Sequence, residues 1–272
     1  MIKKNSKKNA MQNLGILYFS STGNSLYISK KIKEKLGGEI KYIPNYKEDG
    51  SIFENIIIVA PIYSFGLPIP TFNLLKQLNK KSKIYVIQNY GGMVLNANAL
   101  FYKYAKENNL NIKSIYTLKM PENYTLVMSP PKFFQKSILN SADQRIDKIL
   151  KNIENYKFKI PKDKSKYENI YLKNKSNWHL ISSYFSVTDK CTKCQHCINI
   201  CPTDNITLQN GKIVFKDQCI ACLSCFHRCP NKAIIYKNKD NKKRYINPYI
   251  DEKTIGKDFQ EKGILPSIMH IF

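Results

Sequence analysis

The chain has 272 residues, of which 43% are hydrophobic, so it can bury the cores of about two globular domains and is not a disordered chain. Its apolar runs, such as residues 56–60, are too short to cross a membrane, and we expect no membrane span. The net charge of +24 comes almost entirely from scattered lysines. No nucleic-acid-binding module accompanies them, which argues against a nucleic-acid partner. A solvated lysine surface and a surface for an acidic partner both remain open.

The amino-terminal residues predict an arm, a strand and a helix separated by a loop of small polar residues. Residues 1–12 are basic at the start, and we expect a solvated arm rather than a signal peptide. Residues 14–19 are short, apolar and β-rich, which predicts a buried strand. Residues 26–36 carry apolar side chains at helical spacing and end at a glycine pair, which predicts a helix. The loop between them consists of Ser20, Ser21, Thr22, Gly23, Asn24 and Ser25.

This loop is a candidate anion site, since hydroxyls and backbone N–H groups meet at a helix start. Gly23 permits close backbone approach. The loop has neither the lysine of a Walker A motif nor the glycine spacing of a dinucleotide fold. It resembles the flavodoxin phosphate loop, (S/T)-x-T-G-N-(S/T), which binds the monophosphate of FMN. The resemblance implies FMN as a cofactor, with residues 20–25 at its phosphate.

The following residues alternate between predicted strands and helices, as in a doubly wound α/β fold. Strands are predicted at residues 39–43, 56–60, 84–87 and 112–118, and helices at 71–79, 94–107 and 133–158. The fold class expected for residues 13–160 is therefore a flavodoxin-like parallel sheet. Ligands of such sheets bind at the carboxyl ends of the strands.

Two carboxyl-end loops supply candidate contacts to a flavin ring. In flavodoxins the corresponding loops enclose the isoalloxazine, often with an aromatic side chain. The candidates are Pro61, Tyr63, Phe65, Gly66, Asn89, Tyr90, Gly91 and Gly92. Ordinary packing explains each aromatic residue equally well. These two loops contain no acidic residue, although flavodoxins commonly place one near the flavin.

All eight cysteines lie between Cys191 and Cys229, in two copies of the pattern C-x2-C-x2-C-x3-C-P. This is the run of bacterial-type ferredoxins with two [4Fe–4S] clusters, in which the fourth cysteine ligates the other cluster. The predicted ligands of the first cluster are Cys191, Cys194, Cys197 and Cys229. Those of the second are Cys219, Cys222, Cys225 and Cys201. The cofactors expected for the whole chain are two [4Fe–4S] clusters and FMN.

Disulfides and zinc are the alternatives for these cysteines. We read no secretory signal in residues 1–12, and clustered cysteines in such a chain favour metal binding over disulfides. Zinc also uses C-x2-C pairs, but it needs four ligands and has no use for a third cysteine at the same interval. The pattern therefore favours iron–sulfur clusters. Because their cysteine ligands must stay reduced, we expect a cytoplasmic location.

The whole chain resembles flavodoxin–ferredoxin fusions, also called iron–sulfur flavoproteins. The predicted divisions are the arm at 1–12, the flavodoxin-like domain at 13–160 and a polar linker or surface excursion at 161–186. A small α+β ferredoxin domain at 187–237 and a tail at 238–272, which wraps back, complete the chain.

Three functions remain open. The first is electron transfer between flavin, clusters and redox partner proteins, for which acidic partners suit the charge. The second is a flavin-dependent oxidoreductase with its own small-molecule substrate. The third is a redox sensor with an empty flavodoxin half. No catalytic residue and no oligomeric state is predicted.

Overall fold

The structure is a computed structural model that describes residues 11–127, 131–162 and 166–259. Most of the predicted basic arm and the end of the predicted tail, residues 260–272, lie outside the described residues. Within these ranges, no helix has both the length and the apolar character needed to cross a membrane.

A five-stranded parallel sheet forms the amino-terminal half, in the order β2-β1-β3-β4-β5. The strands are β1 (Leu14–Tyr18), β2 (Glu39–Tyr42), β3 (Asn55–Pro61), β4 (Lys83–Tyr90) and β5 (Ile112–Lys119). β1 and β3 are buried along their whole length because helices cover both faces of the sheet. This strand order is that of flavodoxin, so the predicted fold class is confirmed.

Five helices cover the sheet: α1 (Asn24–Leu36), α2 (Ile69–Gln77), α3 (Ala97–Glu107), α4 (Lys132–Asn140) and α5 (Ala142–Glu154). α1 contacts α5 as well as β1 and β3, whereas α2 contacts α3. The helices therefore lie in two layers, one on each face. This arrangement brings the start of α1 and the loops after β3, β4 and β5 to one edge of the sheet.

One long helix was expected at residues 133–158, but the structure has two, α4 and α5, which meet at Ser141. The Ser141 hydroxyl donates to the carbonyl oxygens of Ser137 and Ile138 at 3.2 and 3.3 Å. Such local hydrogen bonds compete with the regular helical pattern. The apolar periodicity continues through the break, which is why the sequence predicted one helix.

The segment predicted as a linker contains α6 (Glu168–Ser176) and a short 3₁₀ helix, Trp178–Tyr184. Tyr171 is fully buried, and its hydroxyl donates to the carbonyl oxygen of Leu67 at 2.8 Å. The irregular structure expected there is thus replaced by a helix packed against the loop after β3 and against α3. The domain boundaries themselves stay predictions.

The cysteine-rich part is a small α+β unit, as predicted. Its elements are β6 (Phe185–Val187), α7 (His196–Asn199), β7 (Ile206–Gln209), β8 (Lys212–Phe215), α8 (Ser224–Arg228) and β9 (Ile234–Tyr236). β6 pairs with β9 and β7 pairs with β8, both antiparallel. Each of the short helices lies within one cysteine run, so the two halves of this unit repeat one another.

The residues after this unit return to the parallel sheet, and we call residues 245–259 the C-terminal strap. The Asn247 amide donates to the carbonyl oxygen of Thr22 at 2.8 Å, and the Tyr18 hydroxyl donates to that of Lys257 at 2.9 Å. Phe259 forms an antiparallel bridge with Ile40 of β2. The predicted return of the tail is confirmed for the described residues.

Candidate functional site

Two cavities gather the cysteines in crossed sets. One is lined by Cys191, Cys194, Cys197 and Cys229. The other is lined by Cys201, Cys219, Cys222 and Cys225. Each fourth cysteine thus lies with the first three of the other run, which is the grouping predicted for two clusters. All eight cysteines are free thiols, so the disulfide alternative does not describe this structure.

The fourth cysteines occupy equivalent polar environments. The amide of Asn205 donates to Cys201 Sγ at 3.3 Å, and that of Ala233 donates to Cys229 Sγ at 3.2 Å. N–H groups aimed at sulfur stabilise negative charge on it and tune a bound metal group. Both cavities are therefore prepared for thiolates.

Burial opposes thiolates in the absence of a cation. Desolvation raises the pKa of Cys197 to about 11 and holds the pKa of Cys222 and Cys225 well above the ordinary value of a thiol. A coordinated metal deprotonates a thiol outright and removes this penalty. Among the described residues, no three His, Cys, Asp or Glu side chains converge closely enough to hold one ion. Four cysteines line each cavity, a number that suits a [4Fe–4S] cluster or a zinc ion, and the C-x2-C-x2-C-x3-C-P run favours the cluster.

The phosphate-loop residues meet at the start of α1, with three hydroxyls acting as acceptors. Ser20 Oγ accepts from the amide of Gly23 at 3.0 Å. Thr22 Oγ1 accepts from the Asn123 side chain at 2.9 Å, and Ser25 Oγ accepts from that of Asn89 at 2.7 Å. A hydroxyl that accepts one hydrogen bond still carries its own proton. All three therefore retain a proton to donate to an anion.

The helix start supports the same conclusion. Gly23 precedes α1 with φ of 94°, a left-handed conformation that favours glycine. In the described structure, the α1 start has no side-chain cap and no acidic residue in its first turn. Residues 20–22 and 24–25 are at most 5% exposed. A buried, uncapped helix start with three oriented hydroxyls fits a phosphate group.

The side chain of Asn24, a predicted phosphate-loop residue, has three protein partners. Its Oδ1 accepts from the Tyr245 hydroxyl at 2.7 Å and from the side-chain Nδ2 of Asn247 at 3.1 Å. Its Nδ2 donates to the carbonyl oxygen of Pro121 at 3.0 Å. Asn24 thus fastens the C-terminal strap and the loop after β5 to the phosphate loop.

A cavity of about 460 Å³ lies beside this helix start, within the range of roughly 300–1,000 Å³ typical of small-molecule sites. The predicted ring contacts that line it are Pro61, Tyr63, Phe65, Asn89, Tyr90, Gly91 and Gly92. Gly66 is not among the lining residues. A Cβ on Gly66 would lie 2.3 Å from the Tyr171 ring, so this glycine makes room for α6 instead.

Aromatic rings form one wall of the cavity. The rings of Tyr63 and Trp178 meet edge to face, with centroids 6.1 Å apart and planes at 88°. Trp178 Nε1 donates to Ser64 Oγ at 3.3 Å. Ser64 and Phe65 have φ of 47° and 70°, in a turn closed by two hydrogen bonds between Tyr63 and Gly66. The turn therefore presents Phe65 to the cavity at a cost in backbone strain.

The sequence assigns residues 120–124 no firmer role than covering the edge of a flavin, and in the structure they contribute Glu122 and Asn123 to the cavity. Glu122 Oε1 accepts from the amide of Tyr124 at 2.7 Å. Glu122 is the single carboxylate among the cavity's described lining residues, and no lysine, arginine or histidine lines it. The available signal was position, because residues 121–124 follow the last strand at its carboxyl end.

The cavity also borders the second cysteine set. Cys222 and Leu223 line both the 460 Å³ cavity and the cavity that contains Cys201 and Cys219. A group held by the second cysteine set and a molecule in the large cavity would therefore share a wall. The remaining walls come from α6 and the 3₁₀ helix, through Asn174, Asn177, Trp178 and Ile181.

Comparison with known families finds a match for the cysteine-rich part of the chain. Residues 190–235 match the model of the 4Fe-4S dicluster domain. A flavodoxin-like sheet is therefore followed along the chain by a segment that matches the 4Fe-4S dicluster domain. The resemblance to flavodoxin–ferredoxin fusions is thus confirmed by the strand order and by this match. The chain finds no match among curated proteins.

Solved structures similar to the flavodoxin-like domain include several flavoproteins. A Lactobacillus acidophilus flavoprotein in complex with FMN is 17% identical, with 39% of this chain and 92% of that chain covered and a TM-score of 0.32. Two-electron reduced Megasphaera elsdenii flavodoxin is 17% identical, with 38% and 84% covered and a TM-score of 0.33. Streptococcus pneumoniae flavodoxin is 12% identical, with 51% and 98% covered and a TM-score of 0.35. At these scores, the flavodoxin-like assignment depends on the strand order alone.

Proposed function

We propose that this protein transfers electrons between two [4Fe–4S] clusters and a flavin, FMN, bound in the 460 Å³ cavity. The observation that carries the proposal is the wall shared by this cavity and the second cysteine set, formed by Cys222 and Leu223. The flavin accepts one or two electrons, whereas each cluster passes one. Short separation between redox groups is what such an exchange requires.

The chain's own residues would hold and orient these groups. The two crossed cysteine sets would ligate one cluster each. The hydroxyls of Ser20, Thr22 and Ser25 would donate to the FMN phosphate at the positive end of the α1 dipole. Of residues 20–25, Asn24 lines the cavity, so the first residue of α1 would connect the proposed phosphate position to the proposed ring position.

The composition of the cavity supports a neutral, planar occupant. Tyr63, Phe65 and Trp178 offer aromatic surface, and Gly91 and Gly92 leave backbone accessible. With Glu122 as a carboxylate and no cationic lining residue in the described structure, the cavity disfavours a second anionic group. This selects a single terminal phosphate at α1 over the larger anionic body of a dinucleotide.

Glu122 favours a second candidate function, an oxidoreductase that reduces its own small-molecule substrate. Such a reaction consumes protons as well as electrons, and Glu122 places a group that can relay protons at the cavity wall. The electron-transfer proposal needs redox partner proteins instead, and the charge of +24 suits partners with acidic surfaces.

Anaerobic purification with iron, sulfide and flavin analysis tests the proposal. We expect about eight irons and eight acid-labile sulfides per chain, together with FMN. Stoichiometric zinc without sulfide would contradict the clusters. Intact clusters in a folded protein that binds no flavin would instead indicate the sensing function. Turnover with a small-molecule acceptor and no partner protein would favour the oxidoreductase.

A further inference from the structure

Arg244 is attached to the segment that surrounds Cys229. Its Nη2 donates to the carbonyl oxygens of Lys232 and Ile234 at 2.8 and 2.6 Å. These carbonyls flank Ala233, whose amide donates to Cys229 Sγ at 3.2 Å. The guanidinium therefore lies beside the backbone that supplies the N–H group to this cysteine.

The same guanidinium covers Phe226, with its Cζ 4.2 Å from the ring centroid. Phe226 is 1% exposed and lies in α8, between Cys225 and Cys229. It belongs to a small apolar cluster that also contacts Cys197. This cation–π contact holds the positive charge over the apolar surroundings of the cysteines, where screening by water is weak.

One part of this side chain has no partner. Arg244 Nη1 is buried and has no hydrogen-bond acceptor among the described residues. A buried N–H of a charged group without an acceptor is costly, so its position calls for an acceptor or a negative charge nearby. Desolvation lowers the pKa of Arg244, while the negative charges of Cys229, Asp240 and Cys225 act in the opposite direction.

Two nearby ion pairs do not supply an unpaired, buried positive charge as Arg244 does. The Asp240 carboxylate pairs with Lys190 at 3.0 Å, and both side chains are at least half exposed. Arg228, the arginine of the cysteine-rich unit, pairs with Glu252, which cancels its charge locally. Arg244 thus keeps a positive charge close to Cys229 without a matching carboxylate in contact.

We propose that Arg244 tunes the [4Fe–4S] cluster held by Cys191, Cys194, Cys197 and Cys229 by stabilising its reduced state. This inference rests on the proposed function, which assigns a cluster to that cysteine set. Reduction adds one electron and no bond changes, so the site becomes more negative by one charge. A partly buried cation and an unused N–H group stabilise that extra charge and raise the reduction potential.

A purely structural role is the alternative explanation. The two bonds from Nη2 to backbone carbonyls would then be the whole contribution of Arg244, and its removal would change stability alone. The reduction potential distinguishes the two roles, because loss of a carbonyl contact does not by itself change the charge near the cluster.

The experiment is an EPR-monitored redox titration of the anaerobically reconstituted full chain. The variants are Arg244→Met and Arg244→Gln, and the matched control is Lys243→Met, which removes the same charge from the adjacent exposed residue. In both Arg244 variants we expect one of the two reduction potentials to fall by about 59 mV, which corresponds to a tenfold change in the equilibrium constant of a one-electron reduction. The second potential and both potentials of Lys243→Met should change much less.

Two results would overturn the inference. The first is that the reduction potentials of both Arg244 variants equal those of Lys243→Met. The second is loss of one cluster's iron from both variants with the other cluster intact, which would give Arg244 a structural role at Cys229. Iron and sulfide analysis of the wild-type chain separates these results from failure of the proposed function, since a chain without clusters would show neither potential.

Discussion

The side-chain amide of Asn123 donates a hydrogen bond to the hydroxyl of Thr22 at 2.9 Å. The main-chain carbonyl of Asn123 lies 2.7 Å from Nε2 of His227, a residue of α8. His227 Nδ1 accepts from the amide of Tyr245 at 3.1 Å, so Nε2 carries the proton and donates to Asn123. Burial lowers the pKa of His227 to about 4, which keeps the ring neutral. The loop after β5 thus links the cysteine-rich unit to the phosphate loop.

The phosphate loop should distinguish FMN from riboflavin. Because the hydroxyls of Thr22 and Ser25 retain protons to donate, Thr22→Ala and Ser25→Ala should each remove about 1–3 kcal/mol of binding to a charged group. Fluorescence titration should show FMN affinity reduced by about ten- to a hundredfold. Thr22→Ser keeps a hydroxyl and is the matched control. Equal loss of riboflavin binding would mean that the loop does not hold the phosphate.

The crossed cysteine sets predict which cluster each substitution damages. Cys201→Ser should disturb the cluster of Cys219, Cys222 and Cys225, because Cys201 shares their cavity. Cys229→Ser should disturb the other cluster, and each variant serves as control for the other. EPR spectra of the reduced proteins measure the effect. Damage from Cys201→Ser confined to the cluster of the first cysteine run would refute crossed ligation.

The glycine pair after β4 offers a test of the cavity wall. A Cβ added to Gly91 would lie 2.4 Å from Glu122 Cα, so the main chain would have to move. A Cβ added to Gly92 would lie 3.3 Å from the carboxylate end of the Glu122 side chain, which can move aside. Gly91→Ala should cost about 1–3 kcal/mol of stability and weaken riboflavin binding, and Gly92→Ala should do neither. Thermal unfolding and riboflavin titration check both. Similar behaviour of the two variants would contradict this account of the wall.

The ion pair between the buried Arg228 and Glu252 should give a pH-dependent contribution to stability. Burial raises the pKa of Glu252, but the hydrogen bonds and charges of Arg228 and His196 outweigh it, so the pKa lies below its usual value. The carboxylate therefore stabilises the fold above the unfolded-state value of 4.5, and this contribution is lost as the pH falls through the lower, folded value.

Glu252→Gln tests this contribution. Removing one partner of a fully buried pair costs about 3–5 kcal/mol, and since Glu252 is 30% exposed we expect about 2 kcal/mol near pH 7. Urea unfolding measured between pH 7 and pH 4 should show that the free energies of unfolding of the variant and the wild type approach each other only at the acid end of this range. Glu34→Gln, at an exposed pair with Lys31, is the control and should have little effect. If the stability difference between wild type and Glu252→Gln widens as the pH falls, the Glu252 carboxylate does not stabilise the fold in the way proposed.

The sheet was predictable because parallel strands buried on both faces appear as continuous apolar runs. The predicted strand at residues 56–60 lies within β3, and that at 84–87 within β4. The cysteine grouping was predictable because the spacing of the run is specific to one kind of site. α6 was not, because its sequence is mostly polar and a single aromatic residue, Tyr171, anchors it.

The parts of the site that escaped prediction depend on contacts between distant residues. Asn24 matches the phosphate-loop pattern, but its side chain binds Tyr245 and Asn247, more than two hundred positions away. Glu122 and Trp178 reach the cavity only because the loop after β5 and the segment after α6 fold over the sheet edge. Local periodicity carries no information about such contacts.

The bridge between Ile40 and Phe259 has a consequence for self-association. β2 is an outer strand of the sheet, and its free side would otherwise present unpaired N–H and C=O groups. Ile40 instead donates to the Phe259 carbonyl at 2.9 Å and accepts from the Phe259 amide at 2.8 Å, while Lys30 lies over the Phe259 ring. The strap thereby blocks part of the surface on which strands of separate molecules could add to one another, and its detachment would expose a template for aggregation.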